Sequence, residues 1–566
     1  MDHGILQPAI TGELSAKRRP EFIKRLQDET FDLAIIGGGI NGAGVARDAS
    51  SRGMKVALIE AQDFASGTSS RSSKLIHGGI RYLENLEFGL VFEALQERRH
   101  LFEMAPHLVH PLRFILPVYK NSRVGMFKLG LGMMLYDLLA TFEMPELHER
   151  LNKNELLNRV PMLSDQSLCG GYAYSDAYMD DDRLVLETIR SAVRFGTVAV
   201  SYVRATGAHF ENEKSKSERV CGLVARDEET GREFTIRAKH FISTVGPWTD
   251  LVAARMLKGW RPILRPSKGV HLTFMRSRLP IHDAVVMITE DQKRIVFAIP
   301  RHEMVIVGTT DTDYSGDPAE VRTTREDVSY LLHIINRYFG HANLTDADIV
   351  ASYSGVRPLV DDHSDTESKT SREHKIVSDP RNITFIAGGK YTTYRKVAEM
   401  VVETALNQFC LEDQVRFARN QTTAPLNALA NAASIEKARR EASHWAKEFG
   451  IHESIVHLLV ERHGEEAKAI LENYRARTSG VHRLWQFEAE HAIHSTMCFH
   501  LRDFVLRRSP LFLSRPDHGF LFLDDIAQLF QKELGWSDNK RLEETEAVRQ
   551  HLDREMGWRG TKPLNS

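Results

Sequence analysis

Gly37-Gly38-Gly39-Ile40-Asn41-Gly42 carries the most specific chemical signal in the chain. The G-x-G-x-x-G spacing suits a pyrophosphate. Gly37 permits a tight turn, Gly39 lets backbone amides approach the phosphates, and Gly42 lets the following helix pack on the preceding strand. Glu60 follows 18 residues after Gly42. A carboxylate there accepts hydrogen bonds from ribose hydroxyls and disfavours a 2′-phosphate. Together with Asn41 inside the turn, these residues can hold a dinucleotide.

The elements that must position the turn flank it. Phe31 to Ile36 is a short, nearly continuous apolar run, the pattern of a buried parallel strand. A helix-compatible stretch stops near Gly53, and Lys55 to Ile59 predicts a second strand, completing a βαβ unit. Two more apolar strands run into glycines: His240–Val245 into Gly246-Pro247-Trp248, and Ile383–Ala387 into Gly388-Gly389. The chain has no second G-x-G-x-x-G. A single long cofactor touched by three distant segments predicts FAD, which handles hydride chemistry itself.

Strand-like runs at Val270–Phe274, Arg294–Ile299 and Met304–Val307 predict an antiparallel sheet in the middle of the chain. Beyond about residue 425, amphipathic helical patterns replace strands, as at Glu436–Phe449 and Glu490–Arg508, with a boundary expected within 408–425. Residues 1–30 read as a short polar extension with a surface helix around Phe22, Ile23 and Leu26. Met126, Phe127, Leu131, Met134, Leu135, Leu138 and Leu139 repeat at helical spacing behind Arg123 and Lys128. That pattern fits either a core helix or a face that docks on a membrane. Leu511–Leu513 with Phe520–Leu523 is a second candidate docking patch.

The composition narrows the function. In 566 residues, 74 Lys and Arg oppose 76 Asp and Glu, leaving −2, which does not suit a nucleic-acid binder. At 42% apolar and 27% charged residues the usage is globular. Cys169, Cys221, Cys410 and Cys498 are scattered and read as reduced thiols. No metal is expected, because His491, His494, Cys498 and His500 lack an acidic or thiolate partner set. The most apolar stretch, Leu129–Phe142, is 14 residues long, contains Asp137 and is too short to span a bilayer. The expected location is cytoplasmic, at the inner face of the cell membrane.

Thr68-Ser-Ser-Arg-Ser-Ser-Lys-Leu-Ile-His-Gly-Gly-Ile-Arg-Tyr-Leu83 resembles the signature of the FAD-dependent glycerol-3-phosphate dehydrogenases of the aerobic, respiratory type. The likeness continues through Asp181–Leu184, Gly246–Trp248, Lys268–His271, Gly308–Asp311, Tyr353–Pro358, Gly388–Arg395 and Leu501–Arg508, and covers roughly residues 31–550. It implies an α/β fold of the D-amino-acid-oxidase type. A Rossmann-like FAD-binding domain (31–110, 170–260 and 380–407) would interleave with an antiparallel-sheet substrate domain (111–169 and 261–379). An all-helical domain (425–566) would follow.

The implied activity is oxidation of sn-glycerol 3-phosphate to dihydroxyacetone phosphate, with electrons passed from FAD to a membrane quinone. A homodimer is among the expectations. Carried onto this sequence, the family's substrate site gives Arg81, Tyr82, Arg372 and Lys390, with Arg81, Arg372 and Lys390 clamping the phosphate. His271, His77 and Arg357 would serve the C2 alcohol, a histidine as proton acceptor and the arginine as stabiliser of alkoxide charge. Cofactor contacts are expected from Gly37, Gly39, Asn41, Gly42, Glu60, Thr68, Ser69, Ser70, Ser73, Lys74, His77, Gly246, Trp248, Gly389, Tyr391, Thr392 and Thr393. The nearest alternative is the family's oxidase branch, which reduces oxygen and carries an insertion of about fifty residues absent here. A flavin-binding structural or RNA-modifying protein is the other, and it would not need Arg81, Arg372 and Lys390.

Overall fold

A computed structural model describes residues 13–79, 87–140, 145–211, 218–289, 294–361, 374–473 and 482–560. Two sheets organise it. In the first, strands run in the order His374–Asp379, Ile383–Gly388, Glu233–Ser243, Thr30–Ile36, Val56–Glu60 and Val198–Ser201. The four pairings from Ile383–Gly388 to Val198–Ser201 are parallel. Leu33, Ala34 and Ile35 are all buried, as a parallel strand covered on both faces requires. The helix Ile40–Ser51 covers one face, and Gly44 sits so close to Tyr394 that an added Cβ would lie 2.9 Å from its ring.

The second sheet is mostly antiparallel. Leu264–Met275 lies between Met304–Gly308 and Ile349–Val360, and Val109–Tyr119 pairs with Leu168–Met179. This departs from the expected division of the chain at three places. Leu75–Ile76 and Leu168–Met179 belong to the second sheet, because Leu168–Met179 pairs with Val109–Tyr119 and Leu75–Ile76 pairs with Leu168–Met179, and His374–Asp379 forms a hairpin on the first. These pairings are long-range and leave no local periodicity to read.

The helix Arg19–Asp28 is anchored rather than loosely appended. Phe22 and Leu26 join the first core, and Arg19 donates to Ser201 O (3.2 Å), Tyr202 O (3.0 Å) and Asp227 (2.6 Å). From Ala432 onward the described chain is helical, and Ile493, Leu511 and Phe530 share one core with Leu272 and Val305 of the second sheet. That packing buries Leu511, Phe512, Phe522 and Leu523 of the second candidate docking patch, while Leu521 stays 62% exposed. The helix Met126–Leu139 keeps its apolar face outward instead: Phe127 is 82% and Met134 60% exposed.

Candidate active site

Three neighbouring strands of the first sheet end at glycines with left-handed backbone: Gly37 (φ 105°), Gly246 (φ 56°) and Gly388–Gly389 (φ 72° and 94°). They open a cavity of about 460 Å³ at the carboxyl edge of the sheet, where open α/β sheets bind ligands. Gly37, Gly39, Asn41, Glu60, Thr68, Ser69, Gly246, Trp248, Gly389, Lys390 and Tyr391 all line it.

The local geometry fits a dinucleotide. A Cβ on Gly42 would stand 1.8 Å from Gly37 O, so only glycine lets the helix start that close to the turn. The Ile40 amide donates to Ser69 Oγ (3.0 Å) at the start of the helix. Glu60 accepts from the amides of Gly38 (2.7 Å) and Gln62 (2.9 Å), and burial raises its pKa from the ordinary value. Gly42 itself shapes the turn without lining the cavity.

The second sheet supplies a buried histidine. His271 is 1% exposed, stacked on Tyr353 with ring centroids 4.7 Å apart, and backed by Gly308, where a Cβ would come within 2.3 Å of its ring. Register explains the clamp: His271 lies between Gly308 on one neighbouring strand and Tyr353 on the other. Its Nε2 is 2.8 Å from Ser73 Oγ, while its Nδ1 is buried without a hydrogen bond. Burial, then the positive charges of Arg357 and Lys74, hold its pKa well below the ordinary imidazole value. The ring is therefore neutral near pH 7 and able to accept a proton. Arg357 is seated against Gly269 and donates to Thr309 Oγ1 (2.7 Å), Thr310 O (3.2 Å) and Asp311 Oδ1 (3.1 Å).

Other expected cofactor contacts lie elsewhere. Lys74 forms a buried ion pair with Asp181 and does not line the cavity, because a lysine buried there needs a carboxylate more than a dipole. Ser73 is taken by His271. Ser70 contributes its backbone carbonyl to Lys74 Nζ (3.4 Å). The His77 amide and carbonyl meet Thr392 Oγ1 at 3.3 and 3.4 Å, and Thr393 is buried in the following turn. None of Ser70, Ser73, His77, Thr392 or Thr393 lines the cavity. Arg81, Tyr82 and Arg372 fall outside the described residues.

Sequence reasoning missed the roles of Asp181, Tyr353 and Asp311, although each stands in a motif quoted above. Asp181 also accepts from Ser72 Oγ (2.8 Å), and Tyr353 OH donates to Ser72 O (2.9 Å), so together they brace the Ser72–Lys74 loop beneath His271.

A dinucleotide cavity at the edge of one sheet, faced by a second sheet bearing a neutral buried histidine and an arginine, defines an FAD-dependent oxidoreductase. Residues 32–395 match the family model "FAD dependent oxidoreductase", and residues 431–541 match "C-terminal domain of alpha-glycerophosphate oxidase". The chain is similar to the aerobic glycerol-3-phosphate dehydrogenase of Staphylococcus saprophyticus, at 34% identity over 95% of this chain and 97% of that protein. The Staphylococcus aureus protein of the same name is also 34% identical, over 95% and 97%.

A solved glycerol-3-phosphate dehydrogenase from Bacillus halodurans, complexed with FAD, superposes with a TM-score of 0.79 at 28% identity, covering 98% of this chain and 99% of that one. Glycine oxidase from Geobacillus kaustophilus, at 20% identity and a TM-score of 0.51 over 69% of this chain and 98% of its own, shares the fold alone. The chain belongs to the family of FAD-dependent, aerobic glycerol-3-phosphate dehydrogenases.

Proposed function

We propose that the protein oxidises sn-glycerol 3-phosphate to dihydroxyacetone phosphate, with a membrane quinone as final acceptor. The observation that carries the chemistry is the Ser73–His271 pair, 2.8 Å apart, with His271 on the second sheet and Ser73 in the loop before Leu75–Ile76. Oxidation removes a hydride from C2 and the proton of its hydroxyl. Bound FAD supplies the hydride acceptor.

His271 is buried and Ser73 half-buried, so the proton reaches His271 Nε2 by way of Ser73 Oγ. Ser73 takes the substrate proton as its own passes to the imidazole. Arg357, with its guanidinium fixed by Thr309, Thr310 and Asp311, stabilises alkoxide charge as it develops. Lys390 binds the phosphate at the cavity rim, and Arg81 and Arg372 complete the clamp.

The exposed apolar helix supports the quinone reading. Among the described residues no helix is long and apolar enough to cross a membrane. Phe127, Leu131, Met134 and Leu138 form one outward stripe, flanked by exposed Phe88 and Phe92 and by Lys120, Arg123 and Lys128. Such a face suits an anionic lipid surface. On its inner side, Tyr136 OH accepts from the Gly78 amide (3.1 Å).

The test is turnover by purified protein with a soluble quinone analogue or with oxygen. Reduction of the quinone at a rate well above that of oxygen supports the reading. Stoichiometric peroxide with little quinone reduction would instead place the protein in the oxidase branch.

A further inference from the structure

A second cavity, of about 140 Å³, borders the flavin cavity and has no part in the reaction above. Asp63, Arg71, Arg502, Arg507, His551 and Arg554 line it. It forms where the loop after Val56–Glu60, the Gly355–Val356 stretch of the second sheet and the C-terminal helices meet. Gly67–Thr68 and Pro247–Trp248 line both cavities; a Cβ on Gly67 would lie 3.1 Å from the Trp248 ring. The arginines come from motifs that the reaction leaves unused: Arg71 from the Thr68–Leu83 signature, and Arg502 and Arg507 from Leu501–Arg508.

The cavity carries a surplus of positive charge. Arg507, 6% exposed, is held by Asp63 (2.5 Å) and Asp503, and Arg508 also binds Asp63 (2.8 Å). Arg71 donates to Ser354 O and Glu555 Oε1, both at 2.8 Å. Arg554 donates to Ala319 O and, among the described residues, has only the exposed Glu320, 3.9 Å away, as an ion-pair partner. Half-buried Arg502 has no hydrogen bond or ion pair among the described residues. His551 Nε2 lies 3.6 Å from Glu555 Oε1, beyond hydrogen-bond reach.

Five arginines thus stand against three buried carboxylates and the exposed Glu320, and only Arg71, Arg507 and Arg508 bind the buried three. Burial and the charges of Arg71, Arg502, Arg507 and Arg554 keep His551 well below the usual imidazole range. Buried charge without a counter-charge is costly, and planar guanidinium groups arriving from several elements suit a phosphate. The volume admits a phosphate or a short ester but falls below the roughly 300 Å³ of a drug-sized ligand site, so a nucleotide does not fit.

We propose that this cavity is a second anion site, in which Arg71, Arg502, Arg507 and Arg554 bind a phosphate dianion, either inorganic phosphate or the phosphate of a three-carbon ester. The site is distinct from the substrate clamp at Lys390. Because its wall is also a wall of the flavin cavity, occupancy holds Gly67–Thr68 and Trp248 in place and slows loss of the flavin.

The test is calorimetric titration of inorganic phosphate into full-length, FAD-loaded protein carrying Lys390→Gln, which weakens phosphate binding at the flavin site. One phosphate per chain is expected. Arg502→Gln should weaken it at least tenfold, the scale of one charge-assisted hydrogen bond, and Arg502→Lys should restore most of it. The phosphate-induced rise in unfolding temperature should vanish with Arg502→Gln, while flavin absorbance and the phosphate-free unfolding temperature stay unchanged.

Tighter binding of sn-glycerol 3-phosphate than of phosphate would identify an ester as the ligand. Equal binding would identify the free ion. If the substrate clamp is misassigned, Lys390→Gln leaves two phosphates bound and Arg502→Gln still removes one. Absence of phosphate binding in the Lys390→Gln protein, or binding unaltered by both Arg502→Gln and Arg554→Gln, overturns the proposal and leaves the arginines as anchors between domains.

Discussion

Ser73 Oγ lies 2.8 Å from Nε2 of His271, one of the two histidines expected to act as base. His271 has a hydroxyl partner and a depressed pKa, and the backbone amide and carbonyl of His77 meet Thr392 Oγ1. Ser73→Ala and His271→Gln should each lower kcat about 10²- to 10⁴-fold with flavin retained, and the double variant should lose little more. Stopped-flow reduction measures this. Additive losses would show that the two residues act separately. A base is competent while neutral, and His271 sits well below 6.5, so the acid limb of the rate should lie below pH 6.5.

At Gly42 the contact is steric. Gly42→Ala places a Cβ where Gly37 O already is, so the variant should purify without yellow colour. The glycine turn was readable because its chemistry is contained in six residues. The Lys74–Asp181 pair was not, because its partners are 107 residues apart and meet only in the fold.

Elements meet through buried charge. Hydrogen bonds and charge from Glu229 and Glu544 overcome the desolvation of His500 and raise its pKa to about 10. That contact ties the strand loop after Asp227 to the C-terminal helices. A raised pKa stabilises the fold fully below the unfolded value near 6.5, and the contribution is lost as pH rises toward 10. His500→Gln should therefore lower the unfolding temperature clearly at pH 6 and hardly at pH 10. Scanning fluorimetry at both pH values tests it, and an equal drop at both would contradict the linkage.

Asp63 joins the same domains. Asp63→Ala would strand Arg507 and Arg508 and should cost about 3–5 kcal/mol, measured by denaturant unfolding. The individual strands were legible from apolar runs ending in glycine. Their assignment to sheets was not, since Leu168–Met179 pairs with both Val109–Tyr119 and Leu75–Ile76 only through long-range contact.

Across the whole molecule, the apolar stripe of Met126–Leu139 shows what periodicity alone leaves open. The repeat predicts an apolar face, but which face the neighbours cover depends on Met133, Tyr136 and Asp137 turning inward. Wild-type protein should sediment with anionic vesicles, and Phe127→Ser with Leu131→Ser should reduce sedimentation at least several-fold while dye-linked activity persists. Undiminished sedimentation would remove this face from the proposal.

The central claim is a flavoprotein that oxidises the C2 alcohol of a phosphate ester. It is tested most directly by adding sn-glycerol 3-phosphate to the purified protein without oxygen and following the flavin absorbance. Rapid bleaching near 450 nm by sn-glycerol 3-phosphate, and negligible bleaching by glycerol at the same concentration, is the predicted result. A flavin that stays oxidised with the phosphate ester, or that both alcohols bleach equally, would contradict it.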